Sequence, residues 1–451
     1  MDFKKICVLG LGYIGLPTAS TFATHGIRVI GVDVNPEVIS TLQNGEIHIY
    51  EPGLRTLVQA GLRSGNMVIC DAPSTADAFV IAVPTPFKRN KRADLGYVIN
   101  AAESIVPHLR PGNLVVLEST SPPNTTIGIV APILERSGLR AGADPGEGGF
   151  YLAYSPERVL PGQILRELIE NARVIGGVSH ASAEAGRDLY AIFVRGEIVL
   201  TDATTAEMVK LMENTHRDVN IAIANEFSRL ADRFGVDVWE AISLANRHPR
   251  IKILNPGPGV GGHCISVDPW FLVEAAPDLT SLILAARKVN DAQPHFVLDV
   301  IRKALRYTSA ANQDMASGAV LPSGGLSGRR VAVLGLAYKP DVDDLRESPA
   351  IEVARLLVEA EASVRAYEPY KDNAIIPGVT MALSLEEALA EAEILVLLVA
   401  HSSFKTLDPQ VVANLTPARV VIDAVNGWSL QTWETAGFHV FRLGDGKGTK
   451  R

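Results

Sequence analysis

Cys264 sits in NPGPGVGGHCISVDPWF, residues 255–271, where five of the six positions 257–262 are glycine or proline and a carboxylate, Asp268, follows four residues after the thiol. Neither a helix nor a central strand tolerates such a run, so a loop presents the thiol. A cysteine taken at random is a small apolar filler. The polar neighbours here argue instead for a nucleophile. Upstream, Lys210, Asn214, Arg217 and Ile221 are spaced for one helical stripe, within about 60° at 100° per residue. Such a stripe is either a solvated surface or a ligand wall. NRHPRIK adds Arg247, His248 and Arg250 before the cysteine loop, cations suited to a pyrophosphate. In YSPERVLPGQ, residues 154–163, Glu157 lies in a shaped loop as an acid or base, or else as a surface carboxylate paired with Arg158.

A thiol beside a hydride acceptor allows oxidation beyond an aldehyde. Loss of hydride from an alcohol gives the aldehyde, thiolate addition gives a hemithioacetal, and a second hydride loss gives a thioester that water cleaves to an acid. Lys210 would stabilise the oxyanion or take a proton, with Asn214 as a hydrogen-bond donor. Asp268, Glu157 or both would hold and deprotonate the water.

The hydride acceptor is implied near the N-terminus. KKICVLG has the continuous apolar character of a buried strand, GLGYIG follows, and an apolar helical pattern runs to Gly26. A second strand, RVIGVDVNPE, ends on Asp33, 18 residues after Gly15. Strand, GxGxxG, helix, strand and acid in this order make a dinucleotide site. Gly10 makes the tight turn, Gly12 admits the pyrophosphate and Gly15 lets helix and strand close up, while Asp33 accepts the ribose hydroxyls. No arginine or lysine follows Asp33 in DVNPEVIS, which favours NAD over NADP. ADAFVIAVPTPF and NLVVLEST are expected as later buried strands, ending at Thr85 and Thr120 where ligands of open α/β sheets lie, although either threonine could instead cap a turn.

Residues 329–400 repeat the plan of 4–86: RRVAVLGLAYKP over KKICVLGLGYIG, SVRAYEPY over RVIGVDVN, and AEILVLLVAHS over ADAFVIAVPTP. The second copy keeps Gly335 but has Ala337 and Pro340 where the first has Gly12 and Gly15, and it gains Lys339. A second dinucleotide is not expected there. A lysine followed by Asp341, Asp343, Asp344 and Arg346 suits another phosphate-bearing ligand, or a divergent structural domain with a solvated lysine. Between the copies, 201–242 is expected to be continuously helical, and 308–328, small and nearly uncharged, to be a linker or mobile loop.

Composition bounds these expectations. A chain of 451 residues suggests about three domains. A net charge of −8 offers no basic field for nucleic acid. Three cysteines make no disulfide framework, which favours a reducing compartment. Lys4 and Lys5 before an apolar run imitate a signal peptide, but the glycines there have cofactor spacing. No apolar stretch reaches the ~20 residues of a membrane span, so a soluble, cytoplasmic protein with no metal ligand set is expected.

GLGYIGLP, VPTP, SPERVLPG, KLMENTHRDVNIAIANE, GPGVGGHCISVDPWF and GLAYKPDVDDLRESPA stand in an order that resembles the UDP-glucose/GDP-mannose dehydrogenase family over essentially the whole chain. The resemblance implies an α/β fold: two Rossmann-like doubly wound domains joined by a central helical domain with a long helix. The expected boundaries are 1–200 for NAD, 201–307 for a dimerisation and catalytic domain, 308–328 for the linker and 329–451 for the UDP-sugar. It implies Cys264 as nucleophile, Lys210 as proton donor and acceptor, and Asn214 and Asp268 in support. Tyr13, Ile14, Asp33, Thr85 and Arg346 would face NAD. Arg158, Val159, Arg217, His248, Arg250, Gly261, Tyr338 and Lys339 would face the UDP-sugar. In PERVLPGQ, NRHPRI and the cysteine loop the resemblance implies UDP-N-acetyl-D-mannosamine as substrate, UDP-N-acetylglucosamine or UDP-glucose being the alternatives, and it implies a homodimer in surface polysaccharide synthesis. Two stretches depart from the family pattern: ESTSPPNTT, with Asn124 in place of the usual glycine, and AYSPER, with Ser155 before the proline. A two-electron dehydrogenase with a structural Cys264, and an NAD-binding regulatory protein without turnover, are the competing expectations.

Overall fold

The computed structural model describes residues 1–88, 91–262, 264–313 and 325–447. They form two compact units, Met1–Asn214 with Val267–Thr280, and Thr215–Ser266 with Ser281–Arg451.

The first unit is built on a sheet of β1 (Lys5–Leu9), β2 (Arg28–Val32), β3 (Met67–Cys70), β4 (Ala78–Ile81), β5 (Leu114–Leu117), the short β6 (Arg140–Ala141), β7 (Gly149–Tyr154), β8 (Arg173–Gly177) and β9 (Ile198–Asp202). The order is β3-β2-β1-β4-β5-β7-β8-β9, with β6 beside β7. β4 and β5 are buried at every position, as parallel strands covered on both faces must be. The chain reverses direction across the sheet between β1 and β4, and this switch point opens a crevice beyond the strands' carboxyl ends. β8 breaks the parallel run, pairing antiparallel with β7 and parallel with β9, so that β8 and β9 together run against the other strands.

The second unit carries β10 (Arg330–Leu334), β11 (Ser363–Tyr367), β12 (Val379–Met381), β13 (Ile394–Leu397), β14 (Val420–Asp423) and β15 (His439–Arg442). All are parallel, in the order β12-β11-β10-β13-β14-β15, the common doubly wound arrangement. The internal repeat is reproduced strand for strand: β10 pairs β11 and β13 as β1 pairs β2 and β4.

The long helix, Ala203–Phe234, is shorter at both ends than the expected 201–242. Thr201 and Asp202 finish β9. The helix stops because Gly235 adopts φ +69°, a left-handed stop that glycine takes without penalty. A new helix, Val238–Ala245, is capped by Asp237, whose side chain accepts from the N–H groups of Trp239 and Glu240. Helix Gln293–Gln313 includes six residues expected to lie in the linker, while 314–324 of that segment lie outside the described residues. Among the described residues no helix is long and apolar enough to cross a membrane.

Candidate active site

The turn after β1 fits a dinucleotide by its geometry. Gly10 has φ +91°, and a Cβ there would lie 2.6 Å from Ala82 O. A Cβ on Gly15 would lie 1.8 Å from Gly10 O, so helix Gly15–Thr24 can close on the strand only through glycine. A Cβ on Gly12 meets nothing within 4 Å, leaving its face open to a ligand. No side chain caps this helix, so its N-terminal turn keeps the N–H dipoles that favour phosphate. Asp33 is held at the end of β2 by the N–H groups of Leu11 and Asn35, both at 2.9 Å. Tyr13, Ile14, Thr85 and Thr120 are half-buried at the same edge, after β1, β4 and β5.

Around Thr120 the unusual ESTSPPNTT loop has a physical explanation. Asn124 takes φ +69°, a region that asparagine tolerates best after glycine. Its Oδ1 accepts from Thr204 Oγ1 at 3.1 Å. The loop is anchored by buried Glu207, in the first turns of the long helix, which accepts from the N–H of Asn124 and from both the N–H and hydroxyl of Thr126.

Lys210, Asn214, Glu157 and Asp268 are brought together in two pairs. Buried Lys210 donates from Nζ to the carbonyl of Glu157 at 2.7 Å. One turn along the helix, Asn214 Nδ2 donates to Asp268 Oδ2. Asp268 is the first residue of helix Asp268–Ala275. Burial pushes its carboxyl up to about 6, against the opposing Lys210 charge and the Asn214 hydrogen bond. A carboxyl there changes charge near neutral pH, as a general base requires.

Glu157 is not the surface carboxylate paired with the Arg158 guanidinium that the sequence allowed. It is buried, and its carboxylate accepts from Arg173 at 2.6 Å and from the Arg158 backbone N–H at 2.7 Å. The Arg158 guanidinium instead grips both oxygens of Glu213 and the Ala172 carbonyl. Val159 packs half-buried on the core. The departure at Ser155 is also accommodated: its hydroxyl, buried, receives Arg173 at 3.1 Å.

In the second unit Cys264 is exposed, and the glycines before it serve close packing rather than mobility. A Cβ on Gly261 would lie 2.5 Å from Glu347 O and 2.9 Å from Tyr338 Cβ, and one on Gly262 would lie 2.8 Å from the Tyr338 ring. Gly262 N donates to Arg346 O, 3.1 Å. At the start of the loop Gly257 N donates to Asn225 Oδ1, and Asn225 is held by Asn290. The loop is thereby seated on the segment that follows β10. Gly261, Tyr338 and Arg346 are brought together, and the half-buried Lys339 holds its ammonium 5.8 Å from the centre of the Tyr338 ring. The Arg346 guanidinium binds both oxygens of Asp344. Arg217, His248 and Arg250 are exposed, and Arg250 N donates to His248 Nδ1.

Sequence reasoning missed Arg173, Glu118, Glu207 and Glu213. Arg173 opens the apolar strand RVIGG and Glu118 closes LVVLE. A charge at the very end of a buried strand was the signal for both.

Comparison with known proteins gives the family. Family models match residues 4–194 (UDP-glucose/GDP-mannose dehydrogenase family, NAD binding domain), 204–292 (central domain) and 332–429 (UDP binding domain). The UDP-N-acetyl-D-mannosamine dehydrogenase of Methanocaldococcus jannaschii is 45% identical over 98% of this chain and 97% of its own. An NDP-N-acetyl-D-galactosaminuronic acid dehydrogenase of Ralstonia nicotianae is 48% identical over 95% of this chain and 97% of its own. The solved UDP-D-ManNAc dehydrogenase of Pyrococcus horikoshii superposes with a TM-score of 0.87 at 40% identity, covering 98% of this chain and 99% of its own. The chain belongs to the UDP-glucose/GDP-mannose dehydrogenase family and is an NAD-dependent UDP-sugar dehydrogenase.

Proposed function

We propose that the chain oxidises C6 of UDP-N-acetyl-D-mannosamine twice, giving the mannosaminuronate, with a thioester on Cys264 between the second oxidation and release. The observation that carries this is the pairing of Lys210 with the Glu157 carbonyl and of Asn214 with Asp268 on one stretch of helix. NAD supplies the hydride acceptor for each oxidation when bound, held by the Gly10–Gly15 turn, Tyr13, Ile14, Asp33, Thr85, Thr120 and Arg346.

The alcohol loses a hydride and a proton, the proton passing to Lys210. The Cys264 thiolate adds to the aldehyde carbon, and loss of a second hydride leaves the thioester. Asp268, aided by Glu157, takes a proton from water as the water attacks. The C–S bond breaks, the acid leaves and the thiolate returns. Lys210 and Asn214 face the oxyanion in both halves of the sequence, which a preorganised donor pair stabilises without reorganisation. Arg158, Val159, Arg217, His248, Arg250, Gly261, Tyr338 and Lys339 hold the UDP-sugar. The working form is a homodimer in the cytoplasm, with 1–200 holding NAD, 201–307 dimerising and 329–451 holding the UDP-sugar, and the product enters surface polysaccharide.

The relative at 48% identity favours a second reading, in which an N-acetylgalactosamine configuration is accepted. The test is NADH released per sugar for UDP-N-acetylmannosamine, with UDP-N-acetylgalactosamine, UDP-N-acetylglucosamine and UDP-glucose in parallel, for wild type and Cys264→Ala. Two NADH per mannosamine sugar, with the variant unable to finish, supports the proposal. One NADH, or an unaffected variant, removes the thioester, and faster turnover of the galactosamine sugar moves the substrate to the second reading.

A further inference from the structure

Because β8 runs antiparallel to β7, its first residue enters the sheet at the edge where β5 and β7 end. Had β8 been parallel, Arg173 would open the opposite edge, far from the ligand crevice. Instead it meets Glu118, the residue after β5, and Ser155 and Glu157, just after β7. Its guanidinium donates to Glu118 Oε1 at 3.2 Å, Ser155 Oγ at 3.1 Å and Glu157 Oε2 at 2.6 Å. It also lies 4.1 Å above the Tyr190 ring, and the Tyr190 hydroxyl donates to Glu118 Oε1 at 2.6 Å. All these side chains are buried.

Two carboxylates thus share one guanidinium away from water. A buried pair of this kind is seldom kept for stability alone, since its desolvation offsets its attraction. What the cluster does have is a direct line to the chemistry. The residue that Arg173 clamps by its side chain, Glu157, is the one whose carbonyl receives Lys210.

We propose that Arg173 is a positioning residue: braced by Glu118 and Tyr190, it fixes the orientation of the Glu157 carboxylate and, through the Glu157 main chain, the seat of Lys210. The proposal rests on the reading of Glu157 and Lys210 as parts of the active site. Glu118 has a separate consequence. Its Oε2 is buried with no hydrogen-bond partner among the described residues, and burial pushes its carboxyl up to about 7 despite Arg173, with Glu157 adding to the rise and Tyr190 opposing it. The groups facing it are Arg173 from β8, Glu157 from the loop after β7 and Tyr190 at the end of helix His180–Tyr190. Protonation of Glu118 leaves Arg173 balanced by Glu157 alone.

The experiment compares wild type with Arg173→Lys, Glu118→Gln and Tyr190→Phe, using NAD affinity and thermal melting to establish that each is folded. Arg173→Lys keeps the charge but loses the fork, and is expected to lower kcat about 100-fold with KM for the UDP-sugar changed less than about threefold, the penalty for a misplaced catalytic group. Acyl-enzyme should then accumulate on Cys264, read by intact mass after quenching. Glu118→Gln is expected to remove a kcat–pH transition near 7 while the acid limb set by Asp268 near 6 stays, a change that a purely structural role would not produce. A folded Arg173→Lys with wild-type kcat and no acyl-enzyme overturns the proposal. Should Arg173→Lys fail to fold, an unchanged kcat and pH profile in Glu118→Gln overturns it instead. Wild type yielding one NADH per sugar would overturn the parent reading of the site, whereas two NADH with unaffected variants sinks only the role of Arg173.

Discussion

The two Rossmann-like halves share a sheet plan and differ at the two places where a dinucleotide is held. In both, the glycine after the first strand is left-handed, φ +91° at Gly10 and +87° at Gly335, and donates to the end of the next strand. Beyond that they part. In the N-terminal half the helix starts at Gly15, five residues on. In the C-terminal half Pro340 stands where Gly15 would, and the helix waits until Pro349, capped by Ser348. The intervening residues become the seat of the cysteine loop.

The second difference concerns the acid. Asp33 is half-buried beside an open crevice. Its counterpart Glu368 is buried, with Oε2 accepting from the N–H groups of Leu336 and Ala337 at 2.7 and 2.9 Å and from His401 at 3.1 Å. His401 occupies the place that Thr85 has in the first half. Its Nδ1 accepts from Asp341 N, so Nε2 carries the proton toward Glu368. The groups that would grip a dinucleotide are wired to each other. A sheet plan therefore does not by itself confer a cofactor site, and a few residues at the switch point decide.

The largest effect that could break this contrast is at the third glycine. Gly15→Val places side-chain atoms against Gly10 O and is expected to cost more than about 3 kcal/mol and abolish NAD binding. Pro340→Ala, on an exposed residue, should change stability by less than about 0.5 kcal/mol. Denaturant melts with NAD titration of both variants would expose the contrast as false if the two behaved alike. The first glycine should show the reverse, near equality. A Cβ would lie 2.6 Å from Ala82 O at Gly10 and 2.5 Å from Val399 Cβ at Gly335, so Gly10→Ala and Gly335→Ala should each cost about 2–3 kcal/mol.

The buried acids sharpen the comparison through pH. Burial raises Asp268 from 3.8 to about 6. Its ionised form is therefore disfavoured by folding, with no penalty below pH 3.8 and the full penalty above about 6. Asp268→Asn should accordingly gain stability relative to wild type across that window, by roughly 1–3 kcal/mol, and lose the acid limb of kcat. Burial also pushes Glu368 upward, but the His401 hydrogen bond and the backbone N–H groups outweigh it and leave the carboxyl below its ordinary value of 4.5. Glu368 thus adds stability above 4.5 that is lost as pH falls through its lowered value. The smallest effect is expected there: Glu368→Gln should cost about 1 kcal/mol at pH 7 and nothing at low pH, with NAD affinity unchanged. Asp33→Asn should do the opposite, weakening NAD about tenfold with stability held. Equal NAD losses in these two variants would mean that the turn after β10 is itself a dinucleotide site.

What could be recognised in the chain depended on how far apart the interacting residues lie. Gly10, Gly12, Gly15 and Asp33 fall within one strand–helix–strand unit, so their spacing already carries their geometry. The stripe of Lys210 and Asn214 was visible for the same reason, since a helix repeats every few residues. The end of the long helix was misjudged because the apolar pattern continues past Gly235, and one left-handed residue interrupts it. The glycines before Cys264 implied a loop, and their tertiary reason, contact with Tyr338 and Glu347, lies some 80 residues away in sequence.

The amino-acid sequence by itself determined the nucleotide-binding turn, the doubling of the α/β plan and the residue types at the reactive centre, because local backbone rules and short-range periodicity govern each of these. Only the tertiary structure decided who partners whom: that Glu157 belongs to Arg173 rather than Arg158, and that Glu368 closes on His401. Those choices follow from strand order, from the antiparallel pairing of β8 with β7 and from burial, which bring together charges that no short-range pattern relates and make any unpaired one costly.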